Sequence, residues 1–486
     1  MTIHNLSKRQ DLACIGVLLF VAGCSVGPNY QTPDLPVPPT WIEAQQKGVQ
    51  VRPAELARWW TSFNDQLLNS LIERAVQSNL DLRIAEARIR EARGSRVLAA
   101  ASYWPTINVS SAYSRNRASG NAVGSPFQNG GAVAAVPSNA NLEQNFYQTG
   151  FDASWEIDVF GGVRRSVEAA DATLQATVED RRDVLVSLLG EVAKNYIDLR
   201  GFQRQLDVTR ENLKAQLETV DLTRVRFEAG LASDLEVAQA EAQANTTAAL
   251  IPSLETSIKQ AAYGLDVLLG SQPGSLWDEL AVERAIPTLP PEVLVDLPAE
   301  LLRQRPDIRR AERQLAAATA QVGVATADLY PKFSLLGTVG LQSISASDWF
   351  TGRSRYWSMG PTVSWPVFDA GRIRANIEIR SAQQEQALGV YEKTVLTAFQ
   401  DVEVSLVAYA KEQERYRSLV TAVAANRRAL TMANELYLRG LSDFLNVLDA
   451  QRALALSENE LAQSQAAMAS NLVSVYKALG GGWQMP

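Results

Sequence analysis

The feature that most constrains this chain is that it is written twice. The hexapeptide Asp-Leu-Arg-Ile-Ala-Glu at 81–86 reappears at 307–312 as Asp-Ile-Arg-Arg-Ala-Glu, a spacing of 226. Pro105 falls on Pro331 at the same spacing. Farther on the spacing is 210: Trp155 falls on Trp365, Gly161 on Gly371, Arg164 on Arg374, and Gly230-Leu231 on Gly440-Leu441. The slippage lies in a stretch rich in Gly, Ala, Ser and Asn, 116–144, which reads as a longer loop in the first copy. A repeated unit of this kind is one supersecondary block that completes its packing only beside another. Each copy reads helix, strand, loop, strand, long helix, tight turn, return helix.

The long helices set the scale. Val178, Leu185, Val192, Leu199, Leu206, Leu213, Val220 and Phe227 recur every seven residues, and Leu388, Val395, Val402, Tyr409, Tyr416, Val423, Leu430 and Tyr437 repeat the pattern in the second copy. A seven-residue apolar repeat keeps one seam of a helix against its neighbours. No proline interrupts 163–229 or 372–439. Each segment is therefore read as one helix of about 67 residues, roughly 100 Å long at about 1.5 Å per residue. Gly230 and Gly440 are placed to end them, as glycine does at a helix C-terminus. Ser233-Asp234 and Ser442-Asp443 offer N-caps for alanine-rich return helices over 233–269 and 443–479.

The strands carry the other period. Ile107, Val109 and Tyr113 alternate with Thr106, Asn108 and Ser110; Tyr147, Phe151 and Ala153 alternate with Gln148, Asp152 and Ser154. The second copy keeps the phase, with Phe333, Leu335, Val339, Trp357, Met359 and Val363 against Lys332, Ser334, Thr338, Ser358 and Thr362. Segments of about ten residues, apolar on one side and polar on the other, suit a transmembrane barrel. A soluble sheet with one wet face shows the same alternation. Trp104, Trp155, Tyr330 and Trp365 gather at the strand ends nearest the helices, where an interfacial belt would sit. Two copies of two strands make four, which cannot close a barrel, and an open edge is not tolerated in hydrocarbon. The chain must therefore assemble, into a dimer, a trimer or a larger ring.

The N-terminus reads as an address. Lys8 and Arg9 precede a ten-residue apolar stretch, 12–21, too short to span a bilayer and suited to a signal peptide. It ends in Val21-Ala22-Gly23-Cys24, which resembles the bacterial lipoprotein processing box, with Cys24 the lipidated residue. Ser25, rather than Asp, follows it and resembles the outer-membrane-sorted class. The expected organisation is a signal peptide over 1–23 and a lipidated, proline-rich tether over 24–60. A first repeat over 61–270, a linker over 271–298, a second repeat over 299–480 and a tail over 481–486 follow.

Composition closes most chemistry. The only histidine is His4, and the two cysteines are Cys14 and Cys24. A processed chain therefore lacks the groups for imidazole acid–base catalysis, Cys–His nucleophiles or thiolate metal sites. No cofactor is expected beyond the lipid on Cys24. A net charge of −7 gives no case for nucleic acid. Acidic residues spread along helix faces read as solvated surface, so the chain is not expected to be an enzyme.

Four stretches carry a family resemblance: Cys24-Ser-Val-Gly-Pro-Asn-Tyr30, Trp59-Trp60-Thr-Ser-Phe63, Leu301-Leu302-Arg-Gln-Arg-Pro-Asp-Ile308 and Val447-Leu-Asp-Ala-Gln451. They resemble the TolC family of outer-membrane efflux proteins, and within it the NodT/OprM-like lipoprotein branch that serves resistance-nodulation-division (RND) pumps. The resemblance implies a mainly α protein with transmembrane β: a homotrimer whose twelve-stranded barrel, four strands per chain, continues into a long α-helical barrel. It implies a passive exit duct in the outer membrane, reaching into the periplasm to a membrane-fusion adaptor and an inner-membrane RND transporter. In that fold Gly230-Leu231 and Gly440-Leu441 are the adaptor-contacting tips. Asn446 and Asp449 match an inner acidic ring, where Asn446 departs from the two aspartates of some members. Tyr437 and Glu236 match two parts of a closed-state latch, and Ser442 stands where some members have arginine. Two other readings use the same patterns: an exit duct for type I protein secretion, and a periplasmic coiled-coil lipoprotein scaffold without a pore.

Overall fold

The computed structural model describes residues 25–45, 49–51, 56–117, 143–290, 293–295 and 298–484. Cys24, with the signal segment, and most of the 116–144 loop lie outside the described residues. The chain divides into two compact units. One comprises Met1–Gln31, Ala92–Leu174 and Gln314–Ala387, the other Thr32–Glu91, Gln175–Arg313 and Leu388–Pro486.

In chain order the main elements are strand β1 (Val49–Val51), helices α1 (Gln66–Ser78) and α2 (Leu80–Ala101), strands β2 (Thr106–Arg117) and β3 (Glu143–Ile157), and the long helix α3 (Gly162–Glu228). Helices α4 (Asp234–Ala248), α5 (Leu250–Leu268) and α6 (Trp277–Leu280), strand β4 (Val293–Val295), and helices α7 (Pro298–Gln304) and α8 (Pro306–Ala327) follow. Strands β5 (Lys332–Ser343) and β6 (Arg355–Ser364), the long helix α9 (Arg372–Leu438) and helix α10 (Phe444–Ala478) complete the chain. Both long helices have 67 residues. Among the described residues no helix is long and apolar enough to cross a membrane.

The first unit is built on one antiparallel sheet of order β2-β3-β5-β6. Residues directly opposite in an antiparallel pair share a face. The register aligns Val109, Phe151, Val339 and Trp357 in one row, and Asn108, Asp152, Thr338 and Ser358 in the adjacent row on the other face. The alternation of the four separate segments thus adds up to one apolar face and one polar face. The apolar face is bare: Val109 is 69% exposed, Phe151 54%, Val339 56% and Trp357 77%. So large an uncovered apolar surface needs a partner other than water. Among the described residues the outer edges of β2 and β6 pair with no strand. Pro361 lies on the edge strand β6, opposite Leu335, where its missing N–H is tolerated.

Aromatic rings bracket that face. At the helix-side ends, the Trp155 indole donates to the Tyr103 carbonyl at 2.9 Å and the Trp365 indole to the Leu329 carbonyl at 3.0 Å, the same contact in both copies. At the far ends Tyr113 lies 4.9 Å from Tyr147, and Tyr147 5.3 Å from Trp349. Tyr147 and Trp155 are eight residues apart on one strand, about 27 Å at about 3.4 Å per residue, against an apolar band of about 25 Å in membrane barrels. On the polar face Tyr356 covers two backbones that approach closely. A Cβ on Gly150 would lie 2.7 Å from the Val339 carbonyl oxygen, and the Tyr356 hydroxyl, 2.7 Å from Gln148 Nε2, closes over the gap.

The segment after Cys24 differs from a free tether. The Val26 N–H donates to the Phe160 carbonyl at 3.1 Å. The Arg165 side chain, 4% exposed, donates to the carbonyls of Val26 (3.1 Å) and Gly27 (3.3 Å), to Asn29 Oδ1 (2.7 Å) and to Glu168 Oε2 (2.8 Å). Gly27 has φ +86°, and a Cβ there would lie 2.5 Å from Gly323 Cα. Backbone packs on backbone at this crossing, so the chain leaves Ser25 already fixed.

The second unit holds the seam of the long helices. Leu185, Val192, Leu199, Leu206 and Val220 are buried, as are Val395, Val402, Tyr409, Val423 and Tyr437. The first return helix is not continuous over 233–269; it breaks at Ala249 between α4 and α5. Pro252 causes this, because it has no N–H for the turn before it and its ring crowds the carbonyl four residues back. The tether and the linker pair with one another, β1 running parallel to β4. The C-terminal tail is also held. The guanidinium groups of Arg182 (4.5 Å) and Arg309 (5.2 Å) both stack on the Trp483 ring, and Glu179 binds both arginines at 2.6 and 2.8 Å. Pro306 starts α8, as proline does at a first helical position. Arg305 before it binds Asp307 at 2.7 Å, Asp401 at 3.1 Å and the Ala478 carbonyl at 2.9 Å, tying three helices together.

Candidate functional site

Both long helices end the same way. Gly230 has φ +74° and Gly440 φ +73°. The Leu231 N–H reaches back to the Arg226 carbonyl and the Gly230 N–H to that of Phe227, each at 2.8 Å. Leu441 and Gly440 reach Leu436 and Tyr437 at 2.9 and 3.0 Å. This is the Schellman pattern, in which a left-handed residue lets two N–H groups satisfy the orphan carbonyls. No atom lies within 4 Å of a Cβ built on either glycine, so conformation rather than space selects glycine here. Leu231 and Leu441 stand at the apices, 68% and 70% exposed.

Beneath the turns lies a small core of Val220, Ala240, Ala244, Tyr437, Phe444, Val447 and Leu448. The Tyr437 ring packs against Phe444 with centroids 5.5 Å apart. The alanines let the return helix come close enough for side chains to bridge. The Tyr437 hydroxyl donates to Glu236 Oε2 at 2.7 Å. Glu236 Oε1 accepts from the Ser233 backbone N–H at 3.2 Å, so the same carboxylate caps α4. The Arg226 guanidinium stacks on the Tyr437 ring at 4.6 Å, and its Nε is buried with no hydrogen-bond partner among the described residues. Burial, then the hydrogen bond to Glu236 and its negative charge, push the Tyr437 hydroxyl up to about 12, against an opposing pull from Arg226.

The other expected residues are placed differently. Asn446 Nδ2 donates to Ser442 Oγ at 2.8 Å, so these two meet each other rather than Tyr437. Asn446 sits in the second copy where Glu236 sits in the first, and it provides no carboxylate. Asp449 is exposed on α10, 3.9 Å from Arg452. Sequence reasoning missed Arg226. The signal was present: at a spacing of 210 Arg226 falls on Leu436, a charge in one copy where the other has an apolar residue.

A family profile described as "Outer membrane efflux protein" matches residues 71–271 and 297–481. The chain belongs to the outer membrane efflux protein family. It is an outer-membrane component of an efflux system. Nodulation protein T of Rhizobium leguminosarum bv. trifolii is 32% identical over 96% of this chain and 96% of its own length. The toluene efflux pump outer membrane protein TtgI of Pseudomonas putida is 33% identical, covering 96% of this chain and 97% of its own length. The solved structure of the outer-membrane channel OprN superposes with a TM-score of 0.87 at 36% identity, covering 95% of this chain and all of that one. Among the efflux family members, the open state of the MtrE channel of Neisseria gonorrhoeae gives 0.77 at 27% identity over 95% of this chain and 99% of its own.

Proposed function

We propose that the protein is the passive outer-membrane duct of a tripartite efflux system of the RND type. Three copies join their sheets edge to edge into one twelve-stranded barrel, each duplicated chain supplying two hairpins and two long helices. The helices form a tube in the periplasm that receives solute from an adaptor and an inner-membrane transporter. The observation that carries this reading is the four-stranded sheet with a bare apolar face and two open edges, a form that is stable in a membrane only when other copies close it. Lipid on Cys24 adds a second membrane attachment. Relatives named for toluene, solvent and pyoverdine export support a small-molecule cargo.

The turns at Gly230-Leu231 and Gly440-Leu441 form the rim that meets the adaptor. Tyr437, Glu236 and Arg226 form the latch, joining the return helix of one half to the long helices of both. Asn446 and Asp449 line the inner side of the constriction, where Asn446 weakens the acidic ring. The test is direct. The purified full chain in a planar bilayer should conduct as a detergent-stable trimer, and its deletion should sensitise cells to a pump substrate. A monomer with no conductance ends this reading.

A further inference from the structure

The bare apolar face of the sheet does not end symmetrically. The register puts Arg115 opposite Asn145, Arg117 opposite Glu143 and Arg355 opposite Leu341, all on the face that carries Val109 and Phe151. These arginines gather at the far strand ends, around the row of Tyr113 and Tyr147, and Arg353 projects from the adjoining turn. At the helix-side ends the same face shows Trp155, Ile157, Phe333 and Trp365 and no cation; Lys332 lies on the polar face and pairs with Asp328 at 3.0 Å.

Arg115 and Arg117 share one carboxylate, Glu143, at 2.6 and 3.3 Å, and remain 64% and 71% exposed at their side chains. Arg353 and Arg355 are exposed and have no ion pair among the described residues. The acids nearby are Glu143 and Asp348, and the stretch 118–142 contains no charged residue at all. Four guanidinium groups thus face two carboxylates at one margin of a membrane-facing surface. Arginine presents paired donors that match phosphate oxygens, and it is favoured where an apolar band meets anionic headgroups.

We propose that this arginine tier is a binding surface for the phosphate groups of outer-leaflet lipid. The inference rests on the duct reading, which puts the far strand ends toward the cell exterior. A closed ring brings β6 of one copy beside β2 of the next, so that Arg353 and Arg355 of one subunit complete the tier begun by Arg115 and Arg117 of its neighbour. The bound lipid would then bridge the seam where two chains meet.

The test uses the full-length protein reconstituted in phosphatidylcholine vesicles with either bis-phosphorylated lipid A or the same lipid after phosphatase treatment. Lipid retained per protein after detergent extraction and the temperature at which the trimer dissociates are measured. The phosphorylated lipid should be retained at least about tenfold better and should raise the dissociation temperature, whereas inorganic phosphate at millimolar concentration should do neither. The triple variant R115Q, R353Q, R355Q should lose both effects while conducting as the parent does. Equal retention of the dephosphorylated lipid, or full retention by a conducting triple variant, overturns the proposal. If the variant fails to assemble, the phosphatase arm on the unaltered protein still decides. Absence of any conductance from the unaltered protein would instead count against the duct reading itself.

Discussion

One carboxylate, that of Glu236, holds the Tyr437 hydroxyl at 2.7 Å with one oxygen and the first N–H of its own helix cap with the other. The contact between the two halves of the chain and the start of the return helix therefore share a single group.

Replacing Tyr437 by phenylalanine keeps the packing against Phe444 and removes the bond. A net loss of about 1 kcal/mol should raise the open population about fivefold, read as more frequent openings in single-channel recordings. Glu236→Ala should do more, because it also removes the cap, worth about another 1 kcal/mol. Unchanged gating in both variants would rule out the latch.

The pH dependence has a defined sign. The Tyr437 hydroxyl, raised in the folded chain to about 12 from its ordinary value of 10.0, keeps its proton more tightly folded than unfolded. Its contribution to tip stability is complete below pH 10 and is lost as pH rises through about 12. A phenolate facing Glu236 would repel it. Ultraviolet difference titration should show one late-ionising tyrosine fewer in Tyr437→Phe. Tyr196, also raised to about 12 by burial and its bond to Asp65, remains as the internal reference.

The turn glycines and leucines separate conformation from contact. Gly230→Ala and Gly440→Ala each place a Cβ in open space but at φ +74° and +73°, so each should cost about 1 kcal/mol of local stability, seen as faster amide exchange in the last turns of α3 and α9. Leu231→Asp with Leu441→Asp should leave that exchange unchanged and abolish cross-linking to the adaptor. If the adaptor still cross-links, the rim lies elsewhere.

Gly27→Ala meets both obstacles, a left-handed φ of +86° and Gly323 Cα at 2.5 Å. It should free the segment beginning at Ser25 from the sheet-bearing unit, at a cost of about 2–4 kcal/mol. Limited proteolysis should then cut before residue 31 in the variant and not in the parent.

Much of the architecture is legible because its periods are long and regular. Two 67-residue helices announce themselves through apolar residues every seven positions, and the strand phase through alternation alone. The ends of the long helices are legible at Gly230 and Gly440, where backbone geometry admits few other residues. What escapes is what depends on single contacts across large sequence distances. Nothing periodic marks Gly27 as the partner of Gly323, or Trp483 as the ring on which Arg182 and Arg309 stack. Arg226 was hidden for a different reason: some family members have an arginine where this chain has Ser442, and the cation that meets the Tyr437 ring here comes from the first long helix. Pro252 could have signalled the break at Ala249, but the run of alanines reads as uninterrupted helix.

The unpaired margins of β2 and β6 have a genetic corollary. In the ring proposed above, a polypeptide whose strands are finished by its siblings cannot hide a defect from them. A copy with one spoiled margin still offers a good one to a healthy neighbour, enters the ring and leaves it gapped. Damage confined to either margin should therefore be dominant when both alleles are expressed, whereas loss of the whole chain should be recessive.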